Sequence, residues 1–421
     1  MNIQLLNPPV FHYSGARYRM LPTIGLPTLV SVLNRAGHTC EGIDLEALCI
    51  SPEALADRYR QQRELWPDAV GVTGLSITAR GMEETVKALR TCGFAGTIFA
   101  GGVYATLHPE RVLGFGADLV VTGECEGNIV QLLESGATGI QEGQPADIAD
   151  IPAPDWNHWM PFITSYEGNI RSMMMPNPSI SMWSRGCPFR CIFCANPIFG
   201  GRKTRYRPAQ AVIDEMTMLA RLGAERCNVY DDELVGTKLP DGWMHDIADG
   251  IEHLGIRWIT QGRCSTRFVT DELLRDMKRA GCQLICWGVE SFSEPLLEIL
   301  HKGTDRDDII TTLRRSHDAG IANGVFTMIG NYRESEYDRA VTCEFLGNAY
   351  RNGLIQMRQT TICTPMEGTR FGELAKEEGW YDPPPEVGPQ MLQLQHNPWL
   401  TPEQADYWMR AYRQACPPEM V

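Results

Sequence analysis

Three cysteines are the residues whose spacing most clearly indicates chemistry. Cys187, Cys191 and Cys194 lie in the run SRGCPFRCIFCANP, with a C-x3-C-x2-C spacing. Thiolates at this density suit zinc or an iron–sulfur cluster. A structural zinc site needs four ligands, and the nearest further candidates, His158 and Cys227, lack zinc-site spacing. The pattern therefore favours a [4Fe–4S] cluster in which one iron keeps an open position for another ligand.

The elements around these cysteines predict two α/β units. From residue 177 to 375, six strand-like runs alternate with helical stretches, which predicts an open, partial (β/α)6 TIM barrel with the cysteines directly after its first strand. Residues 1–135 alternate similarly and predict a Rossmann-like parallel sheet. The Gly-, Pro- and Asp-rich stretch 136–176 predicts a linker, and residues 376–421 a short helical tail. In both units a ligand is expected at the carboxyl ends of the strands.

Composition narrows the class of protein. The 421 residues carry a net charge of −14, which disfavours nucleic acid as a partner. No apolar run is long enough for a membrane span, and the N-terminal run MNIQLLNPPVFHY is unlike a secretory signal. The 14 cysteines are too dilute for a disulfide framework and suit a reducing compartment. These observations predict a cytoplasmic protein that uses no membrane.

Short polar motifs follow the later barrel strands. They read YDDE at 230–233, QGR at 261–263, GVES at 288–291, IGNYRE at 329–334 and PMEGT at 365–369. Together with the cysteine loop, this series resembles the radical S-adenosylmethionine (SAM) superfamily. The resemblance implies a [4Fe–4S] cluster on the three cysteines and a SAM site formed by Phe193, Asp231, Asp232, Arg263, Glu290, Ser291, Gly330 and Glu334.

Several of these side chains have a second interpretation. Asp231 and Asp232 suit either a contact with SAM or the capping of the element that follows them. Glu290 suits either the ribose hydroxyls or an ion pair with a structural arginine. The basic run at 202–207 (RKTRYR) favours either a solvated loop or a site for an anionic substrate group.

The runs VGVTGLSITA, IFAGGVYATLHPERVL and ADLVVTGECEGN stand in the first unit. They resemble the Rossmann-like cobalamin-binding domain that precedes many radical SAM barrels. The resemblance implies a cobalamin site formed by Ser76, Thr78, Gly101, Gly102, Tyr104, Thr106, Gly123, Glu124 and Glu126. The D-x-H-x-x-G motif of cobalamin mutases is missing after the first strand, so the cobalt is expected to have no side-chain lower ligand.

The chain is therefore identified as a member of the cobalamin-dependent radical SAM enzymes, which implies methyl transfer. One SAM would methylate cobalamin, a second would be cleaved to a 5′-deoxyadenosyl radical, and the substrate radical would take the methyl group to a carbon centre. A rearrangement, cyclisation or oxidation without methylation stays open. Expected partners are a small-molecule, carrier-borne or peptide-borne substrate and a one-electron reductant such as flavodoxin or ferredoxin. No side chain is assigned as catalytic.

Two further interpretations fit less well. RNA modification, as in the methylthiotransferase relatives, is disfavoured because the cysteines of the first unit are dispersed and the tail is acidic. A cobalamin carrier with a degenerate barrel is disfavoured because the cysteine triad and Glu290 are intact.

Overall fold

The computed structural model describes residues 1–10, 23–164, 178–381 and 397–417, and it divides into two compact units. The first unit comprises residues 1–169 and the second begins at residue 170. Each contains a six-stranded parallel sheet with helices between the strands, and a helix ends the described part of the tail. This confirms the predicted α/β fold class. Among the helices of the described ranges, none is both long and apolar enough to cross a membrane.

The first unit contains strands β1 (Asn2–Asn7), β2 (Thr39–Asp44), β3 (Ala69–Thr73), β4 (Thr97–Gly101), β5 (Leu119–Thr122) and β6 (Gly139–Glu142). Its helices are α1 (Gly25–Arg35), α2 (Pro52–Gln61), α3 (Ala79–Thr91), α4 (Val103–Leu107), α5 (Pro109–Gly114), α6 (Ile129–Glu134) and α7 (Trp156–Thr164). The strand order is β2-β1-β3-β4-β5-β6. The order reverses between β1 and β3, and doubly wound sheets bind ligands beyond the carboxyl ends of the strands at such a point.

The sixth strand lies in the stretch that the sequence predicts as a linker. β6 is short and glycine-flanked, and it buries no side chain fully, so its hydrophobic pattern is weak. It pairs with β5 along its whole length. Asn128 holds the end of β6, because its Nδ2 donates to the Glu142 carbonyl at 3.0 Å and its Oδ1 accepts from the Gln144 amide at 2.9 Å. Contacts between distant residues thus extend the first unit beyond the predicted boundary at residue 135.

The second unit contains strands β7 (Pro178–Ser181), β8 (Ser184–Arg185), β9 (Arg205–Tyr206), β10 (Arg226–Val229), β11 (Arg257–Gly262), β12 (Cys282–Glu290), β13 (Ala322–Ile329) and β14 (Met357–Ile362). Its helices are α8 (Asn196–Phe199), α9 (Ala209–Arg221), α10 (Trp243–Ile251), α11 (Asp271–Arg279), α12 (Glu294–Ile299), α13 (Arg306–Asp318), α14 (Glu336–Arg351), α15 (Arg370–Glu377) and α16 (Pro402–Ala415). The sheet order is β14-β13-β12-β11-β10-β7, as expected for consecutive βα units, while β8 and β9 form a separate antiparallel pair.

The barrel strands form because apolar runs are covered on both faces. In β12 (CQLICWGVE) every residue except Gln283 is buried, as expected of a central strand in a parallel sheet. The preceding helix α11 buries Leu273, Leu274 and Met277 on one side, and the Thr270 side chain caps its start by accepting from the Leu273 amide. These features place the strand ends, and the motifs after them, along one edge of the sheet.

The tail helix α16 packs beside the edge strand β14. Arg358 of β14 is fully buried, and its Nε donates to the Tyr412 carbonyl at 3.0 Å. The Tyr412 hydroxyl donates to the Arg339 carbonyl on α14 at 3.1 Å. A helix that covers an edge strand protects it from pairing with another chain. The tail is therefore an integral part of the second unit.

Candidate functional site

The cysteine loop, residues 186–194, lies between β8 and α8 at the carboxyl edge of the second sheet. The Cys187 amide donates to the Gly201 carbonyl at 3.2 Å, which links the loop to the segment between α8 and β9. Gly186 has a φ of +86°, and a Cβ there would lie 2.4 Å from the Lys203 carbonyl oxygen. Only glycine satisfies both restrictions. The backbone before Cys187 is thus closely packed, and this packing sets where the first cysteine projects.

Burial favours the protonated form of two thiols of the cysteine loop, Cys187 and Cys194. It raises the pKa of Cys187 to about 12 and that of Cys194 to about 11, and the other two cysteines of the loop also raise the pKa of Cys187, so the three are neighbours. Such thiols become thiolates when a metal replaces the proton. Within the described ranges, no three His, Cys, Asp or Glu side chains are placed to hold a single metal ion. The triad supplies three soft thiol ligands, which fit the [4Fe–4S] cluster with one open iron that the sequence predicts.

Arg263, which follows β11, places a positive charge beside the triad. Its Nη1 lies 3.6 Å from the Cys191 Sγ, and its guanidinium stacks 3.7 Å from the centre of the Phe189 ring. The residue is 4% exposed, and its Nη2 has no hydrogen-bond partner among the described residues. A buried, unpaired donor is costly unless a ligand satisfies it. The side chain therefore fits the carboxylate of a ligand bound next to the cluster, as the sequence predicts for SAM.

Asp231 and Asp232 hold the strand that leads into the cysteine loop. Asp231 is fully buried; one carboxylate oxygen accepts from the Trp183 amide at 2.8 Å and the other from the Ser184 hydroxyl at 2.6 Å. Asp232 accepts from the Gly186 amide at 2.7 Å. These contacts are neither of the two alternatives that the sequence leaves open for the pair, and they make both aspartates positioning residues for the loop. A direct contact with SAM stays a prediction.

We expect Asp231→Ala to destabilise the second unit by about 1–3 kcal/mol, because the buried Trp183 amide would lose its acceptor. Asp231→Asn keeps one acceptor oxygen and is expected to lose less. Chemical unfolding of the apoprotein measures the free energy, and iron bound after reconstitution measures whether the loop still assembles. An alanine variant as stable as the parent would contradict the positioning role.

The same carboxyl makes stability depend on pH. Burial raises the pKa of Asp231 from 3.8 to about 7. The folded chain therefore keeps a proton that the unfolded chain releases between these values, so the contribution of this group to stability is lost as the pH rises toward 7. We expect Asp231→Asn to flatten this dependence. The free energy of unfolding, measured for both proteins across this range, checks the slope.

Glu290 and Lys302 form a buried ion pair, of which the sequence analysis named only Glu290. Lys302 Nζ lies 3.0 Å from the Glu290 Oε1, and the two side chains are 7% and 11% exposed. Glu290 has a φ of +63° where the register between β12 and β13 shifts. A Cβ on Gly288 would lie 2.8 Å from Nζ and 2.9 Å from Oε1, so glycine leaves room for the pair. Of the two alternatives that the sequence leaves open for Glu290, the ion pair was with an arginine, whereas the structure supplies Lys302 from the HKGT turn after α12.

Phe193 and Ser291 have neighbours within the second unit. Phe193 packs on the apolar cluster that includes Ile192 and Phe371. Ser291 is 1% exposed; its hydroxyl lies 3.0 Å from the Thr342 hydroxyl on α14. Their contacts with SAM stay predictions, and for Ser291 the hydroxyl is already engaged by protein.

Gly330 and Glu334 lie in a turn that the tail helps to hold. Glu334 is buried in an ion pair with Arg339, whose Nη1 lies 3.1 Å from the Glu334 Oε2. The Asn397 side chain donates to the Gly330 carbonyl at 2.8 Å, and Gly330 itself has a φ of +78°. Asn397 of the tail thus helps to shape the turn after β13. The contacts of Gly330 and Glu334 with SAM stay predictions.

The predicted cobalamin residues gather at the carboxyl edge of the first sheet. The Gly123 amide donates to the Thr106 hydroxyl at 2.9 Å, which joins the turn after β5 to α4. The Tyr104 amide donates to the Gly74 carbonyl at 2.9 Å, which joins α4 to the turn after β3. Gly101 ends β4 and is half-buried. Three adjacent turns therefore form one surface, as the predicted site requires.

The predicted cobalamin residues differ in how far their side chains are exposed at this edge of the sheet. Ser76 is exposed between Leu75 and Ile77, which are 42% and 39% exposed, so this turn offers apolar surface to a large ligand. Thr78 is buried, and its hydroxyl accepts from the Leu75 amide at 2.8 Å. Tyr104 is 5% exposed and belongs to the hydrophobic core. Turn formation and core packing thus account for these two residues.

Glu124 and Glu126 are half-buried in the turn after β5. This turn packs against the end of β6: the Gly127 amide donates to the Gln144 carbonyl at 2.8 Å. A Cβ on Gly143 would lie 2.5 Å from the Glu124 carbonyl oxygen. The strand β6, which the sequence does not predict, therefore supports the turn after β5, which the sequence does predict.

Gly102 is expected to tolerate no side chain. Its φ of +90° and ψ of −173° lie in a region that is essentially restricted to glycine, and a Cβ would lie 2.5 Å from the Thr73 Oγ1. We expect Gly102→Ala to cost about 1–3 kcal/mol and to weaken cobalamin binding. Gly114→Ala is the control, because no atom lies within 4 Å of a Cβ there. Equal cobalamin retention in both variants, measured from the corrin absorbance, would exclude the predicted approach of this turn to the ligand.

Two family models match the chain. The radical SAM superfamily matches residues 182–346, which span the cysteine loop and the strands from β8 to β13. The B12 binding domain matches residues 15–133 in the first unit.

Individual relatives are distant and mostly cover both units. An uncharacterized methyltransferase of Pyrococcus horikoshii is 26% identical over 89% of this chain and 83% of its own length. An anaerobic magnesium-protoporphyrin IX monomethyl ester cyclase of Cereibacter sphaeroides is 26% identical over 78% of this chain and 57% of its own length. The solved structure of the radical SAM methyltransferase TsrM from Kitasatospora setae superimposes with a TM-score of 0.69 at 19% identity, over 91% of this chain and 77% of that one. The last likeness shows the fold.

Proposed function

We propose that this chain, which matches the family models of the radical SAM superfamily and the B12 binding domain, is a cobalamin-dependent methyltransferase that methylates a carbon centre by means of a 5′-deoxyadenosyl radical. One observation carries the proposal: the guanidinium of Arg263 lies buried beside Cys191 with Nη2 unpaired, where a ligand of the cluster would need a cation. When bound, the cluster supplies the electron that cleaves SAM, and cobalamin supplies the methyl group.

The protein's own residues bind and orient. Cys187, Cys191 and Cys194 would ligate three irons, and Asp231 and Asp232 hold the loop that carries them. Arg263 would pair with the carboxylate of SAM, and Glu290, held by Lys302, would accept hydrogen bonds from the ribose hydroxyls. In the first unit, the turns containing Ser76, Gly102 and Gly123 would contact cobalamin.

The product distinguishes methyl transfer from the second candidate. The cyclase relative from Cereibacter sphaeroides favours a reaction without methylation. Methyl transfer consumes one SAM to S-adenosylhomocysteine and another to 5′-deoxyadenosine for each product. A non-methylating reaction yields 5′-deoxyadenosine without equal S-adenosylhomocysteine.

The test uses the full chain, reconstituted anaerobically with iron, sulfide and cobalamin. It is incubated with reductant, SAM carrying a deuterated methyl group and a metabolite extract. We expect 5′-deoxyadenosine and S-adenosylhomocysteine in equal amounts and a new metabolite that carries the deuterated methyl. Cys194→Ala is the matched control and should form no 5′-deoxyadenosine. Formation of 5′-deoxyadenosine with no labelled metabolite would overturn methylation in favour of the second candidate, and no 5′-deoxyadenosine from the loaded protein would overturn both.

The substrate and reductant are proposed by class. The substrate is a small molecule or a group carried on a peptide or carrier protein. The electron donor is a one-electron protein such as flavodoxin or ferredoxin.

A further inference from the structure

The segment around the cysteine loop has an unusual charge. Asp and Glu make up 52 of the 421 residues, yet none occurs between Glu167 and Asp214. The described part of this interval begins at residue 178 and contains six basic residues: Arg185, Arg190, Arg202, Lys203, Arg205 and Arg207. A chain with a net charge of −14 thus carries an acid-free, basic segment around its cluster ligands.

Three of these residues are exposed, and we call them the basic patch: Arg190, Arg202 and Lys203. Arg190 lies inside the cysteine loop. Arg202 and Lys203 follow Gly201, whose carbonyl accepts from the Cys187 amide at 3.2 Å. The patch is therefore joined through the backbone to the first cluster ligand. Arg207 is not part of it, because it is buried in an ion pair with Glu215.

Two carboxylates of the second unit that approach the cysteine loop or α8 already have partners. Asp232 reaches the loop from the end of β10, but its carboxylate accepts from the Gly186 amide at 2.7 Å. Glu367 precedes α15, in the turn whose Gly368 approaches Ile198 of α8, and it pairs with Lys376 at 2.8 Å. The exposed residues of the patch itself are all cations, and of these two carboxylates only Glu367 has a cationic partner.

The form of the patch favours a protein partner over a small anion. A site for a small anion gathers buried donors at one point, whereas these three side chains are exposed on two stretches of chain. Exposed charges of one sign steer the encounter of proteins of opposite charge. Electron transfer uses small, transient interfaces of this kind.

We propose that the basic patch docks an acidic one-electron carrier protein that reduces the cluster. The inference rests on the proposed function, because it needs a redox-active cluster on Cys187, Cys191 and Cys194. One electron passes from the reduced carrier to the oxidised cluster; the carrier is oxidised by one electron, the cluster is reduced by one, and no bond forms or breaks.

The test compares two double variants of the cluster-loaded full chain. Arg202→Glu/Lys203→Glu reverses two charges of the patch. Arg221→Glu/Arg257→Glu makes the same change in net charge at exposed residues of the amino-terminal edge, at the end of α9 and the start of β11. Reduction of the cluster is followed as loss of its visible absorbance, with either reduced flavodoxin or the small, uncharged donor photoreduced 5-deazariboflavin.

With flavodoxin, we expect the patch variant to be reduced about tenfold or more slowly than the parent and the control variant within about twofold of it. The rate for the parent falls as salt is added, since screening weakens steering. With deazariboflavin, all three proteins react alike. An unchanged flavodoxin rate in the patch variant, or an equal fall in both variants, would overturn the proposal. A parent protein that binds no cluster would instead overturn the proposed function.

Discussion

Cys191→Ala is expected to abolish cluster assembly and, with it, all cleavage of SAM. The cluster would lose one of its three thiolate ligands, and the remaining thiols, Cys187 and Cys194, whose pKa values are raised by burial, would revert to the protonated form. Iron bound after anaerobic reconstitution should fall from about four per chain to near zero. The brown absorbance of the cluster should be lost in parallel.

Cys282→Ala is the matched control for this loss. Cys282 is fully buried in β12, and its thiol donates to the Leu284 carbonyl at 3.8 Å, so it acts as a small core residue. We expect this variant to bind iron as the parent does, with a small loss of stability. Full iron content in Cys191→Ala, or its loss in both variants, would contradict the assignment of the triad.

Lys302→Met is expected to have the second large effect, because it leaves the buried carboxylate of Glu290 without its cation. Breaking a buried ion pair on one side typically costs about 3–5 kcal/mol. The pair lies close to the backbone at Gly288, since a Cβ there would lie 2.8 Å from the Lys302 Nζ. The Leu300 carbonyl in the same turn accepts from the Ile192 amide at 3.1 Å, so the damage should reach the cysteine loop.

The double variant Lys302→Met/Glu290→Gln separates stability from ligand binding. It removes both charges, so most of the lost stability should return, since an uncharged pair of similar size is often tolerated. If Glu290 contacts the ribose, however, SAM affinity should still fall by about tenfold or more. Unfolding of the apoprotein gives the first quantity, and equilibrium dialysis of SAM with the cluster-loaded protein gives the second. A stable double variant with the SAM affinity of the parent would make the pair purely structural.

Some site residues can be recognised from their neighbours in the sequence, and others only from partners that are distant in the chain. The cysteine spacing and the glycine pair that includes Gly102 are readable from the sequence because they are local patterns, whereas the requirement for Gly186 comes from its contact with Lys203 in the structure. Asp231 and Ser291 were expected at SAM, yet their hydrogen bonds go to Ser184 and Thr342, which are 47 and 51 residues away in the chain. A polar side chain after a strand looks the same in sequence whether it faces a ligand or a neighbouring element.

Strand periodicity and the cysteine motif by themselves determined that both sheets are parallel α/β sheets and where the proposed cluster ligands stand in the chain, because buried parallel strands and metal-binding loops leave dense local patterns. Only the tertiary structure decided that β6 belongs to the first sheet, that Lys302 is the partner of Glu290, and that Asn397 of the tail holds the turn at Gly330. Each of these depends on contacts between residues far apart in the chain. A weak strand, a lysine in a turn and an asparagine in a tail acquire their roles only when folding supplies the partner.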